Sequence, residues 1–160
     1  MLDDLTVIHQ LSSSVDEEKL YKPKDSYRMR GSGGRKSLTA GTNLPNGVII
    51  HYFLPSFDNE SDEVKLSIHS EDGELIKEFS DKSKENSIKV KKGGNSFVWD
   101  MKYPGAKRLD NMVLWGADFS GAKTVPGDYI VKLSVNDSEL TQDFTIHKDP
   151  TSEGSIEDIK

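Results

Sequence analysis

Residues 126–147 constrain this chain more than any other stretch. Tyr129, Val131, Leu133 and Val135 alternate with Ile130, Lys132 and Ser134. After Asn136-Asp137-Ser138, residues Leu140, Gln142, Phe144 and Ile146 alternate with Thr141, Asp143, Thr145 and His147. Successive side chains of a strand point to opposite faces, so the pattern predicts two strands around a turn, each with a buried and a wet face.

The same signal recurs upstream. Val48-Ile49-Ile50-His51-Tyr52-Phe53-Leu54 is β-branched and aromatic, and Pro45 and Pro55 flank it. Val64, Leu66 and Ile68 alternate with Lys65, Ser67 and His69. Ser70-Glu71-Asp72-Gly73-Glu74 reads as a hairpin loop in which Asp-Gly supplies the positive-φ position. Residues 75–79 return, and the adjacent Lys77 and Glu78 interrupt the alternation as a bulge would. Residues 87–90 read as a short strand, Lys91-Lys92-Gly93-Gly94-Asn95 as a turn, and Ser96-Phe97-Val98-Trp99-Asp100 as a strand with Phe97 and Trp99 on one face. The total is about seven strands over about 100 residues with no long helix between them, which predicts an all-β, Ig/fibronectin-III-like antiparallel sandwich.

The sandwich is expected over residues 47–148. Residues 1–46 read as a connector, mostly irregular or short-helical, with Leu5, Ile8 and Leu11 at helical spacing, another turn over residues 15–20, and a Gly-rich loop over 31–47. Residues 149–160 read as a polar tail prone to fraying.

Composition excludes several chemistries. There is no cysteine, so disulfides, thiolate nucleophiles and cysteine zinc sites are out. The net charge of −6 argues against binding to nucleic acid or to anionic membrane. No apolar run approaches the roughly 20 residues of a spanning helix. The start, Met1-Leu2-Asp3-Asp4, lacks a signal-peptide pattern, which predicts a protein that is not exported or a piece of a longer exported chain.

No constellation of catalytic residues emerges. His9, His51, His69 and His147 include no pair at i, i+4, and they read as surface or edge residues. Asp58, Glu60, Asp62 and Glu63 crowd one loop but lack the EF-hand order, and they read as a solvated acidic loop. No serine sits in a Gly-x-Ser-x-Gly elbow. Asp100 is expected to cap the turn after its strand. Trp99 is expected at the core centre, and Tyr129, after Pro126-Gly127-Asp128, as the tyrosine that pins a sandwich corner. Residues 102–126 form a Gly- and Pro-rich insert. Its aromatics Trp115, Tyr103 and Phe119 read first as a satellite core, with a face for a sugar or a neighbouring domain as the alternative.

Three motifs carry a resemblance. They are Asn43-Leu44-Pro45-Asn46-Gly47-Val48-Ile49-Ile50-His51-Tyr52-Phe53-Leu54, the run from Lys91 through Trp99-Asp100-Met101-Lys102-Tyr103-Pro104-Gly105 to Ala106, and Val125-Pro126-Gly127-Asp128-Tyr129-Ile130-Val131-Lys132-Leu133. In this order they resemble the C-terminal region of bacterial sortilin-like, BNR-repeat proteins, often labelled glycosyl hydrolases. Tyr21-Lys22-Pro23-Lys24-Asp25-Ser26-Tyr27-Arg28 resembles the linker of those proteins. The strand-rich part is also similar to the Ig-like domain of flagellar hook-capping proteins, with Trp99, Asp100, Gly127 and Tyr129 as shared fold markers.

The resemblance implies a non-catalytic accessory domain behind an upstream β-propeller of the same parent chain, periplasmic, surface-bound or secreted. The propeller's own repeat, Ser-x-Asp-x-Gly-x-x-Trp, does not occur in this sequence. Any hydrolase chemistry would belong to the propeller, so no catalytic residue, cofactor or metal is expected here, and no membrane insertion. Domain packing or protein contact is the expected role. The alternative is a carbohydrate-binding module with Trp115, Tyr103 and Phe119 stacking on sugar and Asp110, Asn111 and Asp118 as polar partners. The lowest-ranked expectation is a loop lent to the propeller's active site.

Overall fold

The computed structural model describes Val7, Gln10 and residues 16–29, 44–106 and 119–155. Its strands are β1 (Lys19–Leu20), β2 (Ser26–Arg28), β3 (Val48–Leu54), β4 (Val64–Ser70), β5 (Leu75–Ser80), β6 (Gly93–Trp99), β7 (Gly127–Val135) and β8 (Ser138–Lys148). They form two sheets, ordered β1-β3-β6 and β2-β8-β7-β4-β5.

Alternation sets the faces. Val48, Ile50, Tyr52 and Leu54 of β3 are buried, while Ile49, His51 and Phe53 between them stay half-buried on the other side. Val64, Leu66 and Ile68 of β4 and Tyr129, Val131, Leu133 and Val135 of β7 do the same in the larger sheet. The inner faces meet through rings. Trp99 of the small sheet lies edge-on to Tyr129 and Phe144 of the large one, with centroids 6.0 and 6.2 Å apart. The ring centroid of Phe97 in β6 lies 4.6 Å from that of Phe79 in β5. Each fully buried large side chain contributes about 1.5–3 kcal/mol through removal from water. The fold is therefore all-β, two sheets closing one apolar core.

Turn chemistry agrees with the sequence at three places. Gly73 has φ 83° in the β4–β5 hairpin. The bulge lies at Ile76, because Ile68 pairs with Lys77 and His69 with Leu75. Asn136 has φ 51° in the two-residue turn between Val135 and Ser138, a conformation asparagine tolerates. Its side chain accepts the Glu63 N–H at 3.0 Å and donates to Asp62 Oδ1 at 3.0 Å, tying this turn to the start of β4. The Asp58 N–H and then the Asn136 amide hold the Asp62 carboxyl below the ordinary aspartate value.

A depressed folded value means stabilisation that is present above the ordinary aspartate range and is lost as pH falls through the folded value. Asn136→Ala removes both side-chain bonds and puts a Cβ-bearing residue without that tolerance at positive φ. It is expected to cost about 2 kcal/mol at neutral pH by urea denaturation, and to flatten the acid limb of the stability profile.

Four expectations need correction. The strands are not all antiparallel, since β2 runs parallel to β8, with Tyr27 opposite His147. Residues 87–90 are not a strand. Ser87 makes a single bridge to Ser80, the Ile88 N–H reaches the Ser80 carbonyl at 3.2 Å, and Ile88 plugs the core instead. Residues 93–95, read as a turn, open β6, because Leu54, Phe53 and Tyr52 supply backbone partners that need no side chain. Lys19–Leu20, read within a helical turn, is β1 and pairs with Phe53 and Tyr52. The described residues of the segment 1–46 thus contribute one strand to each sheet. In the tail, Asp149 Oδ1 accepts the Thr151 N–H at 2.9 Å in a turn.

Candidate functional site

The insert is anchored where β6 ends. Trp99 is fully buried, and its indole N–H points to the Lys102 carbonyl at 3.4 Å. Asp100 Oδ1 accepts the Lys102 N–H at 3.3 Å, the turn-capping contact expected of it. Met101 is buried with φ 57°. Its carbonyl accepts both the Thr124 N–H at 2.8 Å and the Thr124 hydroxyl at 3.2 Å. The Tyr103 N–H reaches the Ala122 carbonyl, the Ala106 N–H reaches the Phe119 carbonyl, and Lys102 pairs with Lys123 in an antiparallel bridge. Residues 101–106 and 119–124 are therefore the two legs of one stem. The legs run so close that a Cβ at Gly121 would lie 2.0 Å from the Tyr103 carbonyl oxygen.

The stem brings together two of the four nominated contact residues. Tyr103, 39% exposed, is on one leg, and the half-buried Phe119 on the other. Trp115 and Asp110, with Asn111 and Asp118, lie outside the described residues.

Beneath the stem, the Tyr129 hydroxyl donates to the Val125 carbonyl at 2.5 Å, four residues upstream. Burial pushes its phenol above the ordinary value. The bond ties the start of β7 to the backbone of the residue before Pro126. Tyr129→Phe leaves the Val125 carbonyl without this donor and is expected to cost about 1.5 kcal/mol, read from denaturant midpoints with the fold intact by circular dichroism.

Sequence reasoning missed the charge at this site. Arg28, at the end of β2, and Lys102, on the stem, both act on Lys123. Lys123 Nζ donates to the Met29 carbonyl at 2.6 Å. Burial, then Arg28, then Lys102 hold the Lys123 ammonium below its ordinary value, while Asp100 acts in the opposite direction. Arg28 Nε is buried with no hydrogen-bond partner among the described residues. The signal was invisible because Arg28 and Lys123 are far apart in the chain. Only the parallel addition of β2 to β8 brings them together.

The other candidates serve the fold. His69 bonds Gly73 O at 3.2 Å and Ser67 Oγ at 3.0 Å. His147 lies 3.6 Å from Asp25 and packs on Tyr27. In the acidic loop, Asp62 accepts the Asp58 N–H and Asp58 accepts the Glu60 N–H. Among the described residues no group of three or more His, Asp or Glu is placed to hold a metal ion. Burial, then the charge of Asp81, pushes the Tyr52 phenol up to about 12, so it stays neutral in the core. A groove of about 770 Å³ runs over the outer face of the small sheet, past Tyr21, His51, Phe53, Lys91 and Ser96. Buried Asn95, also at its wall, already has its amide bonded to Lys91 and Gly93.

No family model matches the chain, and no curated protein matches it.

Proposed function

We propose that this chain is a non-catalytic accessory domain of the Ig/fibronectin-III-like type, from an exported bacterial protein of the sortilin-like, BNR-repeat kind. Its work is to pack against, or extend, an upstream β-propeller, or to hold another protein. One observation carries this reading. The segment that would arrive from the propeller is hydrogen-bonded into both sheets, β1 to β3 and β2 to β8. A leader gripped at two points transmits orientation, whereas a free linker leaves the domain to tumble. The nominated markers support it, since Asp100 and Tyr129 hold backbone groups and Trp99 packs the core.

The test has two arms. The isolated chain, offered a panel of glycosidase substrates, is expected to give no turnover above buffer. Joined to its upstream sequence, it is expected to reorient with that domain as one body in NMR relaxation. Robust turnover, or independent tumbling of the two parts, would contradict the proposal.

A second reading, a carbohydrate-binding module, draws support from the exposed Tyr103 on the insert stem. A glycan array with Trp115→Ala as control decides it. An absence of binding, or binding indifferent to that substitution, removes it.

A further inference from the structure

Lys102 and Lys123 are bridge partners, and paired residues of an antiparallel bridge project from the same face. Lys123 is held toward the end of β2 by its bond to the Met29 carbonyl, one residue from Arg28. That bond uses one of three ammonium donors. Arg28 Nε has lost its water and has no partner among the described residues. A desolvated cationic donor without a partner is unfavourable, and Arg28 and Lys102 both place positive charge near Lys123. Asp100 is the carboxylate that acts on Lys123, and its Oδ1 already accepts the Lys102 N–H. The cluster is positive within a chain of net charge −6. Attraction of anions to this spot is therefore a local arrangement and runs against the overall field.

We propose that Arg28, Lys102 and Lys123 form a binding site for an oxyanion group, a carboxylate or phosphate, at the base of the insert stem. A planar or tetrahedral oxyanion would take the Lys123 ammonium donors that the Met29 contact leaves over, while the positive charges of Arg28 and Lys102 add attraction. Exposed Tyr103, next to Lys102, provides a flat apolar neighbour for whatever carries the anion. This site stands apart from the accessory role, which requires no ligand.

The experiment is an amide NMR titration of the full chain at low ionic strength. The probes are inorganic phosphate and glucuronate, with glucose as the neutral control. Saturable shifts at residues 28, 102–103 and 122–124, with affinity on the order of millimolar, are expected for an oxyanion and none for glucose. A tighter response to glucuronate marks a charged sugar as the source, and an equal or tighter response to phosphate marks a free or esterified phosphate. Either supports the site. Lys123→Gln and Arg28→Gln are each expected to weaken binding at least tenfold, and Lys102→Gln, which leaves the Met29 contact intact, severalfold. Phosphate should also raise the Lys123 titration midpoint, followed at its Cε carbon. Non-saturable shifts, shifts away from the stem, or affinity unchanged in the folded Lys102→Gln protein would overturn the proposal.

Discussion

Trp99→Ala is expected to cost about 4 kcal/mol in urea denaturation, the largest loss from any single side chain here. Trp99 has no exposed surface and meets Tyr129 and Phe144 of the facing sheet edge-on. Truncation leaves a cavity that both sheets must collapse around. The indole N–H also supports the Lys102 carbonyl, so the effect reaches the stem. The amides of residues 102–103 should therefore shift even where the variant remains folded. A loss under about 1.5 kcal/mol would mean that the sheets close without this ring, and the core would need redrawing.

Gly47→Ala is expected to follow, at about 3 kcal/mol. A Cβ at this position would sit 2.4 Å from the Trp99 carbonyl oxygen and 2.9 Å from Val98 Cγ1. The oxygen belongs to backbone and cannot rotate away. Relief requires β3 and β6 to separate at the Val48–Trp99 pair, where the ladder between them begins. Thermal and urea unfolding of the variant would check this. A near-neutral result would mean that β3 enters the sheet at a greater distance from β6.

The fold was legible where periodicity was strong. The alternation of β4 and β7 predicted their buried faces because a half-buried sheet writes its register into every second residue, while β3 was legible as a strand from its β-branched and aromatic composition. It was illegible where strands are too short to have a period. Lys19–Leu20 and Ser26–Arg28 offer two and three residues, the second with no buried position. Both are held by backbone pairing to longer strands. Gly93 and Gly94 failed for a related reason, since ladder bonds do not depend on side chains. Residues 87–90 erred in the other direction. Ile88 and Val90 alternate as a strand does and both pack on the core, but the segment makes one bridge, Ser87 to Ser80, and no ladder.

The site was only partly legible. Asp100 and Tyr129 could be assigned because local turn chemistry fixes them, and their partners lie within four residues. Tyr103 and Phe119 could be nominated by type. The cationic cluster could not, because Arg28 joins it through a parallel strand pairing that no local pattern encodes.

Both the accessory role and the oxyanion site rest on the leader being part of the sandwich. Native-state hydrogen exchange tests that most directly. The Tyr21 N–H donates to the His51 carbonyl at 3.0 Å, and β2 lies in register on β8 from Ser26 to Arg28. The amides bonded in β1 and β2 are expected to exchange at least about a hundredfold more slowly than an unfolded chain. Exchange at unfolded-chain rates there, with β7 and β8 protected, would show a leader that is not docked, with Arg28 no longer held beside Lys123.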